Sequence, residues 1–347
     1  MKKSVLLGMS GGVDSSVSVH ILKERGYEVI GCHLLFTEDA SEDSPSAERA
    51  KNTAKKLGIP LVFSDRRELF RECVTDMFCK MYMNGLTPNP CIMCNTHAKF
   101  VALREEADKA GAEFIATGHY ARTVLGANGE TELRRAPTKK DQTYFLYRVP
   151  REILARTVFP LGEFTSKDEI RAIGASLGLE AASTPDSQDI CFIPDGDCGA
   201  FLQKRLPKMP TAGDILDTNG RKVGTHTGIF NYTVGQRKGL GAFGKPMYVA
   251  GINAAKNTVT VCTSEERFTD RVTADKVRIT AGKFPEGEFH AQIMIRSTAK
   301  PVPASVIFEN GIMTAKLETP VFSPCPGQSA VIYDGDKVLG GGIIFRD

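Results

Sequence analysis

Residues 4–16 read Ser-Val-Leu-Leu-Gly-Met-Ser-Gly-Gly-Val-Asp-Ser-Ser: a short apolar run that breaks into a glycine- and serine-rich turn just before a helical pattern. An unbroken apolar run of this length marks a strand buried on both faces, hence a parallel sheet. Gly8, Gly11 and Gly12 let the main chain turn tightly and come close to a ligand. Successive N–H groups at the start of a helix then form an anion nest, where the helix dipole also favours negative charge. Ser10, Ser15 and Ser16 add hydroxyl donors. No Gly-Lys-Ser/Thr follows, so this is not a Walker A loop, and it lacks the Gly-x-Gly-x-x-Gly of dinucleotide binders. For the glycine pair alone, an ordinary serine-capped strand–helix turn is the competing reading.

The loop sits in an alternating pattern. Val17, Ile21 and Leu22 stand near helical spacing within 15–25, and Gly26 suits the stop. Residues 28–34 read as a second strand, Pro45 to Leu57 as a helix with proline at its first turn, and Leu61 to Ser64 as a third strand. Residues 66–83 read as helix, 84–90 as loop, 95–110 as helix and 113–117 as strand. This predicts an α/β, doubly wound parallel-sheet domain over 1–160. Ser166-Lys167-Asp168-Glu169 is a capping box, so 161–210 reads as a small, mixed, partly helical region carrying Cys191. From Thr211 helical periodicity disappears. Turn signals at 217–220, 254–257 and 333–336 separate β-rich runs, which predicts one or two small β-barrel-like domains over 211–347. The acidic, serine-rich stretch 37–46 reads as a mobile loop.

Composition excludes several classes. The chain has 347 residues, too many for one ordinary core, and 41% hydrophobic content suffices without staples. No apolar stretch reaches the ~18 residues of a membrane span, and the opening apolar run stops at Ser10, too short for a signal peptide. Nine cysteines in a chain of this size do not form a secreted disulfide framework, so the reading is a cytoplasmic protein with reduced thiols. The net charge of +3 does not by itself point to nucleic acid; the basic pairs Arg134-Arg135, Lys139-Lys140, Lys204-Arg205 and Arg237-Lys238 are scattered.

Cys91-Ile92-Met93-Cys94 follows Pro88-Asn89-Pro90 and precedes a helix, where a thiol is expected to have a lowered pKa. Cys191 lies in Ser187-Gln188-Asp189-Ile190-Cys191-Phe192, far away in sequence. A relay between these thiols requires the fold to bring them together. Buried structural cysteines or a zinc site with a further ligand such as Cys198 are the alternatives.

Several segments together carry a resemblance. The Ser10–Ser16 loop resembles that of the PP-loop ATP pyrophosphatases, of adenine nucleotide alpha hydrolase-like fold. With Thr87–Pro90, Cys94-Asn95, Ala116–Tyr120, Lys140–Leu146, Ile190–Ile193, Tyr232–Gly239 and Pro326–Ala330, the whole chain resembles the bacterial tRNA 2-thiouridylases. That resemblance implies adenylation of the C2 oxygen of the wobble uridine in tRNA, then sulfur insertion, giving 2-thiouridine, AMP and pyrophosphate. It implies ATP contacts at Gly8, Met9, Ser10, Gly11, Gly12, Val13, Asp14, Ser15, Leu34 and Gly118, with Asp14 helping to place Mg²⁺. It assigns Cys191 as persulfide carrier and Cys94 as the nucleophile that frees the sulfur, leaving a transient disulfide. For tRNA it points to Asn89, Pro90, Cys91, His119, Lys140, Asp141, Gln142, Arg296, Ser297 and Gln328, although at 296–297 only Arg296 keeps the residue type of the family's Arg-Tyr pair. The partners implied are tRNA and a sulfur-donor or relay protein, with no membrane, and one substrate per chain fits a monomer.

One departure opens a second reading. Many members have aspartate where this chain has Cys91, so Cys91, Cys94 and Cys191 also resemble the three-cysteine set of the iron–sulfur-dependent tRNA thiolases, which hold a [4Fe–4S] cluster. Another PP-loop synthetase, such as a lysidine synthetase, would have no need of thiols.

Overall fold

The computed structural model describes residues 3–183, 189–206, 211–241 and 243–345. Ser187 and Gln188 of the Cys191 segment lie outside the described residues. The opening run forms β1 (Ser4–Gly8), with Val5, Leu6 and Leu7 fully buried as a two-faced parallel strand requires. α1 (Val13–Glu24) follows, and the chain turns after it through Gly26 at φ +83°. β2 (Glu28–Leu35) leads to α2 (Pro45–Leu57), which starts on the expected proline and ends in a left-handed Gly58. β3 (Leu61–Asp65) and β4 (Phe114–Ala116) pair into the same parallel sheet.

A hairpin, β5 (Ala121–Leu125) and β6 (Thr131–Arg135), intervenes before the short β7 (Thr157–Val158). The parallel sheet has the order β3-β2-β1-β4-β7. The chain leaves β1 toward one edge and returns at β4 on the other side, so the loops after β1 and β4 flank an open crevice at the strands' C-terminal ends.

The helix bearing the paired cysteines begins five residues earlier than the expected Asn95. Asn89 caps it, its side chain accepting from the Ile92 N–H at 3.2 Å, and Pro90 takes the first turn. The helix runs Pro90–Cys94, passes through a π-turn at Asn95–Lys99 and continues as Phe100–Lys109. The capping box forms as expected: Ser166 Oγ accepts from the Asp168 N–H and Glu169 accepts from the Ser166 N–H, both at 3.0 Å, opening the helix Lys167–Ser176.

The β-rich half contains two sheets. β8 (Gly213–Leu216), β9 (Lys222–His226), β10 (Tyr248–Asn253) and β11 (Thr258–Cys262) form a mixed sheet in the order β10-β11-β8-β9. β12 (Phe268–Ile279), β13 (Glu288–Met294), β14 (Val302–Glu309), β15 (Ile312–Phe322), β16 (Ser329–Asp334) and β17 (Lys337–Ile344) form an antiparallel barrel, closed because β12 pairs with both β15 and β17. Each expected turn lies between paired strands, with Gly220, Asn257 and Gly335 at positive φ.

The β5–β6 hairpin was not expected from the sequence, because its strands are polar. Charge pairing to the barrel explains it. Arg134 pairs with Lys337 in register, Asp336 accepts from Arg122 and Arg134 at 2.7 and 2.9 Å, and Glu132 accepts from Lys337 and Arg134 at 2.6 and 2.7 Å. Glu132 is only 7% exposed, so its charge depends on these partners. Glu132→Gln is expected to cost about 1–3 kcal/mol, less than breaking a fully buried pair, since Lys337 and Arg134 keep contact with water. The hydrogen bond from Lys337, first, and that from Arg134 hold the Glu132 carboxyl below its ordinary 4.5. Its contribution is therefore complete above that pH and is lost as pH falls through the lower folded value. Urea denaturation at neutral pH and below 4.5 checks both parts: the gap between wild type and variant should shrink on acidification.

Candidate functional site

At the crevice the first turn of α1 is left open. Its N-cap is Gly12, which has no side chain to satisfy the helix's free N–H groups. Ser15 Oγ organises the loop, accepting from the Ser10 N–H at 3.3 Å and donating to the Gly12 carbonyl at 3.0 Å. Arg49 Nε donates to the Gly11 carbonyl at 3.1 Å. Gly11 sits at φ +76°, and a Cβ there would run into the Ser46 carbonyl. Gly118, at the end of β4, lies flat against the same turn: a Cβ would stand 3.0 Å from Asp14 C and Ser15 N. Gly8 closes β1, Val13 is buried at the start of α1, and half-buried Leu34 lies near the end of β2 opposite Ser64. The fold thus gathers the proposed nucleotide positions from three strand ends.

Sequence reasoning missed supports of this cradle. His33 Nδ1 lies 2.7 Å from the Met9 carbonyl and fixes that residue of the loop. Asp14 Oδ1 accepts from Tyr120 OH and Oδ2 from Lys167 Nζ, both at 2.9 Å. Tyr120 lies in the Ala116–Tyr120 segment, but nothing in sequence spacing linked it to Asp14. Lys167 was hidden inside a capping box, whose helix-start signal already accounted for it.

The fold also brings the distant thiols together. Phe192, next to Cys191, packs its ring against Phe70, Phe78 and Phe201 at centroid distances of 5.7, 5.3 and 5.2 Å, and joins the cluster that holds Cys94. Ring pairs of this kind are worth about 1 kcal/mol each beyond their burial, enough together to dock the segment. The cysteines are free thiols. The expected low thiol pKa is overturned. Cys94 is the fifth residue of its helix, not its terminus, and burial pushes it up to about 12. Burial also raises Cys91 and Cys191, though both keep solvent-exposed surface. Lys99 opposes the rise at all three. It is a further missed residue, carried by the π-turn, a feature common at functional sites. Lys99 also acts on His119, which burial, first, and then Lys99 keep uncharged. His119 stacks on Phe100 at 5.9 Å with Nδ1 2.8 Å from Thr117 Oγ1.

The residues expected at tRNA divide into two kinds. Gln328 Nε2 donates to the Thr87 and Pro88 carbonyls at 3.0 and 3.1 Å, so the barrel end pins the loop leading to Asn89, Pro90 and Cys91. Asp141 accepts from the Ala136 N–H and Thr143 Oγ1, and Gln142 Oε1 from the Tyr120 N–H, so both hold the chain internally. Lys140 is exposed. Arg296 donates to the Ser323 carbonyl at 3.1 Å, and Ser297 beside it is half-buried, far along the chain from the thiols.

Two groups implied by resemblance can be tested against these side chains. Among the described residues no set of three His, Cys, Asp or Glu converges as a metal site, Cys91, Cys94 and Cys191 included. As they are placed, Cys91, Cys94 and Cys191 therefore do not fit a [4Fe–4S] cluster. Mg²⁺ needs only one or two carboxylates when phosphates supply the other oxygens, and Asp14 beside the anion nest meets that need. No described helix is long and apolar enough to cross a membrane.

Known proteins align over the full length. The family profile described as tRNA methyl transferase HUP domain matches residues 3–195, the tRNA methyl transferase PRC-barrel domain matches 199–263, and the aminomethyltransferase beta-barrel domain matches 269–344. The tRNA-specific 2-thiouridylase MnmA of Acetivibrio thermocellus is 42% identical, covering 99% of both chains. Those of Clostridium acetobutylicum and Clostridioides difficile are each 41% identical, covering 99% and 100% of this chain and 100% and 99% of their own.

Two outcomes are expected of this geometry. Gly118→Ala should weaken ATP binding about tenfold, because its methyl group must displace the first turn of α1; calorimetry against ATP with a melting curve as folding control reads this. Alkylation by iodoacetamide should be slow at Cys94 at neutral pH and speed up as pH rises toward 12. Lys99→Met should slow it further at all three thiols, read by mass spectrometry of the labelled peptides.

Proposed function

We propose, from the premise that this chain belongs to the tRNA-specific 2-thiouridylase family, that it uses ATP to replace the C2 oxygen of a tRNA wobble uridine by sulfur. The observation that carries the reading is the pairing of an uncapped anion nest with thiols brought together from distant parts of the chain, Lys99 lying within electrostatic reach of both the thiols and His119.

The chemistry follows from the weakness of the substrate. A uracil C2 carbonyl resists substitution because its oxygen leaves poorly. Attack of that oxygen on the α-phosphorus of ATP releases pyrophosphate and makes AMP the leaving group. The N–H groups at Gly11 to Ser15 hold the phosphates, with Gly8, Met9, Leu34 and Gly118 shaping the nucleotide pocket. Asp14 would hold Mg²⁺, which neutralises charge on the departing pyrophosphate. In that state Lys167 would pair with phosphate instead of Asp14.

Cys191 carries the incoming sulfur as a persulfide, whose terminal sulfur bonds to C2 as AMP leaves. Cys94 attacks the Cys191 sulfur, frees the 2-thiouridine and leaves a Cys94–Cys191 disulfide, which a thiol reductant returns to two thiols. Half-buried Cys94 suits a second step, since its high pKa limits premature attack. Asn89, Pro90, Cys91 and His119 would meet the target base, while Lys140 and Arg296 with Ser297 would meet the RNA backbone, and Asp141, Gln142 and Gln328 would hold these segments in place. In this reading 1–160 binds ATP, 161–210 presents Cys191 and 211–347 grips the tRNA. A cytoplasmic monomer supplied by a sulfur-donor or relay protein fits the reduced thiols and the single site.

Cys94→Ser and Cys191→Ser should each abolish 2-thiouridine formation while tRNA-dependent release of pyrophosphate from ATP continues. Nucleoside analysis of the reacted tRNA reads the first and pyrophosphate release the second. Thiolation retained in either variant would sink the relay.

A further inference from the structure

Where the middle sheet meets the barrel, the structure buries a cation that has no counter-ion among the described residues. Arg267 ends a one-turn helix, Glu265–Arg267, between β11 and β12, and is only 4% exposed. Its Nε donates to Ser323 Oγ at 2.9 Å. Its guanidinium lies over the rings of Phe322 and Tyr248, with Cζ 3.2 and 4.2 Å from the centroids. Those stacks answer the flat faces of the cation but not its edge. Among the described residues neither Nη1 nor Nη2 has a hydrogen-bond partner.

A second guanidinium stands beside it. Arg296 Nη2 and Arg267 Nη2 lie 3.0 and 3.2 Å from the point where a Cβ on Gly235 would be, so the two are within about 6 Å of each other. Arg296 gives its hydrogen bond to the Ser323 carbonyl, while the Ser323 N–H donates to the Arg267 carbonyl at 3.0 Å. One residue therefore holds both cations, and it does so at φ +45°, a left-handed conformation costly for serine. Gly235, at φ +100° in the Tyr232–Gly239 segment, makes room for both side chains. A cavity of about 290 Å³ opens beside Arg267, lined also by Thr269, Arg271, Ser323, the half-exposed ring of Phe268 and Glu266, whose carboxylate is taken up by Thr218 and Thr263.

A buried, unpaired donor edge beside a like charge is unfavourable in the protein alone. It becomes favourable when an anion completes it, since a guanidinium presents paired N–H groups that match a tetrahedral oxyanion. We propose that Arg267 joins Arg296, already read as a contact to the RNA backbone, in an oxyanion notch at the junction of the middle sheet and the barrel, and that its ligand is a phosphodiester group of the bound tRNA. This rests on the tRNA reading above and adds to it Arg267, which lies in the stretch between two family matches that end at 263 and begin at 269. The notch reads no base; it fixes the position of the RNA on the two β regions.

The test is tRNA binding by Arg267→Met and Arg296→Met over a salt series of about 50–200 mM. Methionine keeps length and apolar packing while removing the charge. The expected result for each is about a tenfold rise in Kd and a salt slope shallower by about one. The RNA-free melting temperature of Arg267→Met should be unchanged or higher, because an uncompensated charge has gone. A folded Arg267→Met with wild-type affinity and slope overturns the proposal. So does a lower melting temperature with unchanged tRNA binding, which makes the stack purely structural. Should Arg267→Met not fold, Arg267→Gln, which keeps a neutral donor beside Ser323 Oγ, is read in its place by the same two outcomes. Inorganic phosphate at matched ionic strength separates the sources: stabilisation of wild type but not of Arg267→Met, with tRNA binding equal in both, assigns the notch to a free oxyanion and overturns the RNA contact. Wild type that binds no tRNA at any salt fails the functional reading itself.

Discussion

The molecule is organised around a partial positive charge. A helix start carries roughly half an elementary charge in its free N–H groups, and α1 exposes that charge because glycine stands at its cap. The parallel sheet aims it at the gap between β1 and β4. Gly118 can lie against the turn only because it lacks a side chain, and Asp14 is held aside by Tyr120 and Lys167. An anion bound there meets a surface already shaped, so little reorganisation stands between binding and reaction.

The nucleotide half was largely legible in the sequence because its signals are local. Proline at the start of α2, the capping box at Ser166 and the apolar run of β1 each determine their own element. What escaped depended on partners far along the chain. The β5–β6 hairpin is too polar to announce strands, and it forms because Glu132, Arg134 and Arg122 find Lys337 and Asp336 some 200 residues later. The approach of Cys191 to Cys94 depends on three phenylalanines that Phe192 meets only in the folded protein. The thiol pKa values were misread because the helix begins at Pro90, which moves Cys94 into its interior and lets burial outweigh the dipole.

That reversal changes how sulfur chemistry can be controlled here. A thiol with a low pKa reacts with whatever reaches it. Thiols raised by burial and opposed by one lysine need the environment to change before they act as nucleophiles. Lys99 lies within electrostatic reach of the thiols and of His119 alike, so a change around it is felt by both at once.

The hydrogen bonds from Gln328 to Thr87 and Pro88 have a consequence for the order in which the protein is made. The strands of the parallel sheet and the phosphate loop all lie in the first half of the chain, although their core also takes Val331, Tyr333 and Val338 from the barrel. The segment leading to Cys91 and Cys94 waits for a side chain near the end of synthesis. A nascent or truncated chain would thus carry a thiol loop that is not yet anchored. The last strands of the barrel act as a completion check on the whole polypeptide.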